Sequence, residues 1–166
     1  HDFLSSFKKL GKKFLAVECD PQILADLIKK GINARYGDAA DIEFLDDLGL
    51  EKARIIVSTI PDVETNQVLL REARKASKDS IVMLVAYRIE DAMRFYDMGA
   101  SYVIMPHFLG GQQASRMAEE YDFDNEKFQR EREEHIEYIR NRQVEGHEHP
   151  SPYDPQCQYP KDNDKA

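Results

Sequence analysis

The chain has 166 residues and a formal net charge of −8, which with a pI near 5.2 makes it distinctly acidic. This length suits one domain with a real core plus an appendage. The charge argues against nucleic acid and anionic membrane surfaces as partners, because phosphate binding draws on clustered Lys and Arg. The longest apolar run, residues 81–87, is far shorter than the roughly 18 residues that a membrane-spanning helix needs.

The cysteines and the first residues bear on the compartment. Cys19 and Cys157 lie far apart, and the chain contains no CxxC motif. Neither a disulfide scaffold nor a zinc site is therefore predicted, and a reducing cytosol is the simplest compartment. The first residues lack the basic and apolar segments of a secretory signal, and their pattern is typical of a helix already under way.

Helical and strand patterns alternate through most of the chain. Apolar residues at helical spacing predict helices, short apolar runs between them predict strands, and glycines mark helix ends. In chain order we predict a helix over 3–10, a buried strand over 14–17, a helix from Pro21 with Asp20 as its N-cap, a strand over 32–36, a helix over 41–48, a strand over 54–59, a helix over 62–76, a strand over 81–87, a helix around 89–96 and a strand over 102–105. This alternation predicts an α/β fold of the Rossmann-like, doubly wound class, with a parallel sheet covered on both faces.

The composition changes from Glu119 onward. Acidic residues outnumber basic ones there, and a thin apolar stripe of Phe128, Ile136 and Ile139 remains. Such a stripe predicts a solvated or partner-seeking helix and not a second core. Residues 146–166 are polar and rich in proline, which predicts a disordered or draped tail. The predicted organisation is therefore a nucleotide-binding domain over 1–118, an acidic helical extension over 119–145 and a tail over 146–166.

Two acids follow successive predicted strands. Ligands of parallel α/β sheets bind beyond the carboxyl ends of the strands. Glu18 ends the first predicted strand, where an acid accepts hydrogen bonds from ribose hydroxyls, and its charge disfavours the 2′-phosphate of NADP. Asp38 follows the next strand and is placed to accept from an adenine amino group, while Gly37 lets the backbone turn tightly. A plain surface carboxylate and a plain GD turn are the alternatives.

Further candidates follow the later strands. Thr59, Ile60 and Pro61 are suited to pack against an adenosine or a phosphate chain, across the switch point of the sheet. Arg88 is the nearest cation for a phosphate, with a solvated surface arginine as the alternative. Asp62 is expected, together with the nearby Thr65, to cap the following helix.

The glycine-rich phosphate loop expected in such a site is missing. It normally lies about 20 residues before the ribose acid, and only seventeen residues precede Glu18. We expect the loop and the strand leading into it to fall upstream of His1. The sheet should then be split between the strands at 14–17 and 54–59, which either flank a gap one strand wide or close up.

Other chemistry has weaker support. The chain contains no nucleophile elbow, Walker loop or HExxH motif, and a dehydrogenase needs a second domain to place its substrate. His147 and His149, with His135 and Cys157, offer ligands for a soft divalent metal, but a solvated tail is the simpler interpretation, and no metal site is predicted. His107 is either a pH sensor or a core or helix-start residue.

Three stretches of the chain together resemble the potassium-transport nucleotide-binding family, the RCK or TrkA-N domains. They are LGKKFLAVECDPQ, GINARYGDAADIEFLDDLGLEKARIIVSTIPDVETN and DMGASYVIMPHFLGGQQAS. The resemblance covers residues 2–118. The segment YVIMPHFLGG and the acidic helix before GHEHP are similar to the cytosolic tails of Kef-type monovalent cation:proton antiporters.

The resemblance implies a domain that binds NAD(H) or an adenine nucleotide, AMP, ADP or ATP, and passes its occupancy to a membrane transporter without catalysing a reaction. It assigns the ribose to Glu18, the base to Asp38 and the rest of the ligand to residues 59–61 and Arg88. The site as predicted comprises Glu18, Cys19, Asp20, Gly37, Asp38, Ala39, Thr59, Ile60, Pro61 and Arg88.

The resemblance also implies partners and a location. It implies a homodimer or higher homo-oligomer, formed through residues 107–119, while the acidic charge of the chain predicts no nucleic-acid partner. The domain would lie at the cytoplasmic face of the membrane, tethered to a membrane cation-transporter domain encoded upstream. A fragment of an NAD-dependent oxidoreductase is the alternative function.

Overall fold

The computed structural model describes residues 2–144, and their contacts divide the chain between Met105 and Pro106. The first unit alternates helices and strands, as predicted. Its elements are α1 (Asp2–Lys9), β1 (Ala16–Glu18), α2 (Pro21–Lys29), β2 (Ala34–Tyr36), α3 (Ile42–Asp47), a 3₁₀ turn (Leu50–Lys52), β3 (Ile55–Val57), α4 (Val63–Ala76), β4 (Ile81–Val85), α5 (Ile89–Asp97) and β5 (Tyr102–Ile104).

All strand pairings of the first unit are parallel. β1 pairs with β2, so that Glu18 lies opposite Tyr36. β3, β4 and β5 form a second sheet in that order, in which Val57 lies opposite Met83 and Val85 opposite Ile104. Helices connect the successive strands, which confirms the predicted α/β class with a Rossmann-like parallel arrangement.

The two sheets are separate. Among the described residues, no ladder joins β1 to β3, so the split expected from the sequence is present. The width of the gap stays a prediction. The open arrangement exposes apolar side chains: Leu15 is 43% exposed, Val17 38% and Ile55 38%. The prediction of a buried strand at 14–17 is therefore wrong as to burial, because Leu15 and Val17 share a face that no neighbour covers fully.

The ladders are shorter than the apolar runs that predicted them. The run at 14–17 begins to pair only at Ala16, whose amide N donates to the carbonyl O of Asn33 at 2.9 Å. A strand is defined by its partner, and each partner strand here offers only three to five residues. Apolar patterning marks where a strand lies but does not fix how many of its residues are paired.

The core lies between the three-stranded sheet and the helices packed on it. β4 is its centre, because three of its five residues are buried. Its largest fully buried apolar side chains belong to α3, α4, β4 and α5, and they are Leu45, Leu70, Val82, Leu84 and Phe95. Burying an aliphatic or aromatic side chain of this size stabilises a fold by about 1.5–3 kcal/mol, so this sheet is the better supported of the two.

The second unit contains helices α6 (Pro106–Tyr121) and α7 (Asn125–Val144). The turn between them holds Asp122 and Phe123 at positive φ, 49° and 59°. Behind this turn, the Tyr121 hydroxyl donates to Glu131 Oε2 at 2.6 Å. That hydrogen bond raises the pKa of Tyr121 above its ordinary value.

The predicted boundaries at 118 and 145 stay predictions, although α6 runs through residue 118 without interruption. Within residues 2–144, no helix is both long and apolar enough to cross a bilayer. The histidines at 147 and 149, and the cysteine at 157, lie outside the described residues.

Candidate functional site

The two predicted acids lie at the same edge of the β1–β2 sheet. Glu18 is the last residue of β1, and Asp38 follows the end of β2 by two positions. The backbone joins them, because the amide N of Gly37 donates to the carbonyl O of Glu18 at 3.2 Å. Glu18 is half-buried and Asp38 is exposed. The structure therefore brings together the two carboxylates that the sequence assigned to the ribose and the base.

Both carboxylates already make local hydrogen bonds. Glu18 Oε1 accepts from the amide N of Asp20 at 2.9 Å, and Asp38 Oδ1 accepts from the amide N of Ala40 at 2.8 Å. These bonds orient the side chains within their turns. Because an ionised carboxylate has about four lone-pair sites, each group keeps acceptor capacity for a ligand hydroxyl or amino group.

The neighbours of Glu18 have different parts in the local structure. Asp20 caps α2, and its Oδ1 accepts from the amide N atoms of Gln22 at 2.7 Å and Ile23 at 3.2 Å. Cys19 is exposed. Partial burial of its sulfur raises the pKa of the Cys19 thiol, and the negative charge of Glu18 raises it further. The thiol therefore stays protonated at neutral pH and is a poor nucleophile.

Gly37 is held in place by the ring of Phe44. A Cβ atom at Gly37 would fall inside the van der Waals envelope of that ring. The guanidinium of Arg35 packs over the same ring, with its Cζ atom 4.9 Å from the ring centroid. Gly37 is not among the glycines with positive φ. The expectation that it supplies backbone freedom is therefore wrong. A glycine is needed here because the Phe44 ring leaves no room for a side chain.

The second group of predicted residues follows β3. The amide N of Ser58 donates to the carbonyl O of Met83 at 2.9 Å, which continues the β3–β4 ladder. The Ser58 hydroxyl then accepts from the amide N of Ile60 at 3.2 Å. Thr59 and Pro61 are exposed at this edge, and Ile60 is half-buried. The segment thus forms a tight loop at the carboxyl end of β3.

Asp62 closes this loop by capping α4. Its Oδ1 accepts from the amide N of Thr65 at 2.8 Å, which confirms the predicted cap. The Thr65 side chain and backbone both donate to the carboxylate and hold the pKa of Asp62 below its ordinary value.

Asn66 is a buried polar residue beside this loop that was not singled out from the sequence. It lies one turn further along α4 and is fully buried, and its Nδ2 donates to the carbonyl O of Ile60 at 2.8 Å. No local pattern in the sequence marks it, because its acceptors lie six and nineteen residues away.

Arg88 is the N-cap residue of α5 and follows the end of β4 by three positions. Its guanidinium is exposed and forms an ion pair with Glu90, 3.1 Å from Nη2 to Oε2. Exposed pairs of this kind contribute only about 0–1 kcal/mol. A phosphate group of a ligand can therefore compete with Glu90 for this side chain.

The predicted site thus falls into two groups, one on each sheet. Glu18, Gly37 and Asp38 are joined through β1 and β2, whereas the loop at 58–61 and Arg88 follow β3 and β4. Within residues 2–144, no three His, Cys, Asp or Glu side chains are grouped to hold a metal ion. The arrangement offers carboxylate acceptors on one side and a loop with a cation on the other.

This arrangement of parallel strands with acids at their carboxyl ends agrees with the comparison against known families, in which residues 2–106 match the TrkA-N domain. The chain belongs to the TrkA-N domain family. The resemblance noted in the sequence is therefore confirmed.

Relatives of this TrkA-N domain include potassium-transport proteins. It is 24% identical over 114 residues to potassium channel protein 1 of Methanocaldococcus jannaschii, across 68% of this chain and 34% of that protein. It is 26% identical over 108 residues to the glutathione-regulated potassium-efflux system protein KefC of Cronobacter sakazakii, across 65% of this chain and 17% of KefC. The chain therefore spans about a third or less of the length of these relatives.

Solved structures share the fold. The TrkA-N domain of the inner membrane protein ybaL from Escherichia coli has a TM-score of 0.63 at 19% identity, covering 68% of this chain and 84% of that one. The GsuK channel bound to NAD has a TM-score of 0.55 at 19% identity, covering 62% and 18%. GsuK bound to ADP has a TM-score of 0.55 at 18% identity, covering 61% and 27%. At these identities the likeness shows the fold alone.

Proposed function

We propose that the chain is the nucleotide-binding regulatory domain of a potassium or other monovalent cation transport protein. The observation that carries this proposal is the pair of acids, Glu18 and Asp38, at the joined carboxyl ends of β1 and β2. The relatives named as a potassium channel and a potassium-efflux protein support it. The GsuK structures with NAD and ADP support a dinucleotide or an adenine nucleotide as the ligand.

The hydrogen-bonding groups of the site fit such a ligand. Glu18 accepts hydrogen bonds from the two ribose hydroxyls, and its negative charge repels a 2′-phosphate, so NAD(H) or AMP, ADP or ATP binds in preference to NADP. Asp38 accepts from the adenine amino group at the neighbouring strand end. Thr59, Ile60 and Pro61 contact the remainder of the ligand, and Arg88 exchanges Glu90 for a phosphate oxygen.

The bound nucleotide is an effector and not a substrate. Its occupancy biases a conformational equilibrium of an attached transporter domain, a coupling that requires different affinities in the two states. That domain precedes this one in the same protein, which is of the Kef type of cation:proton antiporter. The domain lies at the cytoplasmic face of the membrane and assembles as a homodimer or higher homo-oligomer through α6.

Isothermal titration of the full-length protein with NADH, NADPH, AMP and ATP tests the site. Glu18→Ala should weaken NADH or AMP binding about tenfold or more, because a hydrogen bond to a charged group is worth about 1.5–3 kcal/mol. NADPH should bind more weakly than NADH to the unaltered protein. Asp26→Ala is the matched control, since Asp26 is an exposed acid on α2 that pairs with Lys29.

Three results would contradict the proposal. Glu18→Ala with unchanged affinity would remove the ribose site from Glu18. An equal loss in Asp26→Ala would indicate a general charge effect. Steady turnover of NADH or ATP would favour the alternative function, an NAD-dependent oxidoreductase fragment in the case of NADH.

A further inference from the structure

A single buried amide connects two segments of the candidate site. Asn66 lies in the second turn of α4 and has no exposed surface. Its Nδ2 donates to the carbonyl O of Ile60 at 2.8 Å and is 3.4 Å from the carbonyl O of Val85. Both acceptors are backbone carbonyls, so the orientation of the amide group is fixed, with its nitrogen towards them.

The two carbonyls belong to the segments that carry the second group of site residues. Ile60 lies in the loop after β3, between Thr59 and Pro61, and Val85 is the last residue of β4, three positions before Arg88. The amide therefore ties the loop to the end of β4. Without it, the loop retains the short internal bond from Ile60 to the Ser58 hydroxyl.

The oxygen of the same amide group is not stabilised by a hydrogen bond at this position. Among the described residues, Asn66 Oδ1 is buried without a hydrogen-bond partner. A buried acceptor that lacks a partner costs about 1–3 kcal/mol. An apolar residue of similar size would remove that cost, so general packing does not account for asparagine here. The two donated hydrogen bonds do, because they fix the position of the loop after β3 relative to the end of β4.

We propose that Asn66 is a positioning residue of the nucleotide site. It holds the loop at 58–61 against the end of β4, so that the loop and Arg88 meet the ligand in a fixed relation. This inference rests on the proposed function for its ligand, but its structural part concerns the loop alone. Asn66 itself is enclosed by protein and acts through the carbonyls of Ile60 and Val85.

The test is Asn66→Leu in the full-length protein, with hydrogen–deuterium exchange and NADH titration measured on the same samples. Leucine fills the same space but donates no hydrogen bond. Exchange at the amides of residues 58–60 should rise about tenfold, while the amides of 82–85 in β4 stay protected. The Kd for NADH should rise about tenfold. Gln67→Leu, the same kind of change at the next residue of α4, is the control and should alter neither quantity.

Asn66→Ser is a second variant in case Asn66→Leu does not fold, because its smaller side chain fits and keeps one donor. It should increase exchange in the loop by less than leucine does. A uniform rise of exchange through β3, β4 and β5 in both variants would make Asn66 a purely structural residue and overturn the proposal. Faster exchange in the loop with unchanged NADH affinity would also overturn it.

Failure of the proposed function is a separate result. If the unaltered protein binds none of the nucleotides tested, the proposed function fails and the role of Asn66 at a nucleotide site fails with it. The exchange rates of residues 58–60 still decide whether Asn66 holds the loop.

Discussion

At the scale of single residues, the turn after β2 depends on the fit between Gly37 and Phe44. Gly37→Ala would place a methyl group where the Phe44 ring lies. Phe44 packs against the core cluster, so the ring cannot move without disturbing it. We expect a loss of about 1–3 kcal/mol of unfolding free energy, the usual cost of overpacking. Urea unfolding monitored by circular dichroism measures it.

Two further variants separate this clash from a general effect of replacing glycine. Gly110→Ala adds a methyl group to α6, where no neighbouring atom lies within 4 Å, and it should be neutral or stabilising by about 0.5–1 kcal/mol. Phe44→Ala in the Gly37→Ala background should cost less than the sum of the two single changes, because the methyl group then has room. Strict additivity of the two changes would show that the ring is not the cause.

The same residues show what sequence can and cannot predict about a site. Glu18 and Asp38 could be assigned because each follows a strand, and the ends of neighbouring parallel strands meet at one edge. The pairing of Arg88 with Glu90 and the contact of Gly37 with Phe44 depend on side-chain positions that no local pattern encodes. Asn66 is of the same kind, because its two acceptors lie six and nineteen residues away.

At the scale of elements, the N-cap of α4 is Asp62, a side chain that also titrates. Asp62→Ala should lower the unfolding free energy at pH 7 by about 1 kcal/mol, the usual cost of losing an N-cap. The hydrogen bonds from Thr65 lower the pKa of Asp62 in the folded state. Its contribution is therefore complete above its unfolded pKa, near 3.8, and is lost as the pH falls through the lower folded value.

Urea unfolding at pH 7 and at pH 3 checks the predicted direction of this pH dependence. The difference between Asp62→Ala and the unaltered protein should be largest at pH 7 and smaller at pH 3. Asp62→Asn is the control, because asparagine is also a good N-cap but does not titrate. A difference that is the same at both pH values would show that the charge of Asp62 has no part in the cap.

Helix ends were predictable and strand ends were not, for a physical reason. Asp20, Asp41 and Asp62 cap their helices with their own side chains. Gly31 and Gly99 follow the ends of helices, and both glycines adopt positive φ. These are interactions within a few residues, so the sequence contains the whole cause. The lengths of the strands depend on partners 18 or more residues away, as with Ala16 and Ala34, and so does the exposure of their side chains.

At the scale of the whole domain, the proposed site draws on both sheets, but they are supported unequally. The three-stranded sheet carries the buried core, whereas β1 and β2 rest on few buried residues, with Leu27 the buried residue of α2. The acids that carry the proposed function therefore lie on the less stable part. Nucleotide binding should order that part, since a ligand stabilises the state that it binds.

The unpaired edges of β1 and β3 lead to the last prediction. Each is unpaired on one side, and the apolar side chains of Val17 and Ile55 are exposed there. An open apolar edge is a template for pairing with another copy. We expect the 166-residue chain, expressed alone, to form soluble aggregates at micromolar concentration, visible by size-exclusion chromatography with light scattering.

Val17→Lys should reduce the aggregated fraction several-fold, because a charge on an edge strand opposes pairing. Ile81→Lys adds the same charge at a residue that is 49% exposed but begins the central strand of its sheet, and it should leave the aggregated fraction unchanged. A monomeric or dimeric profile of the unaltered chain, with one cooperative melting transition, would show that the open edges do not drive association.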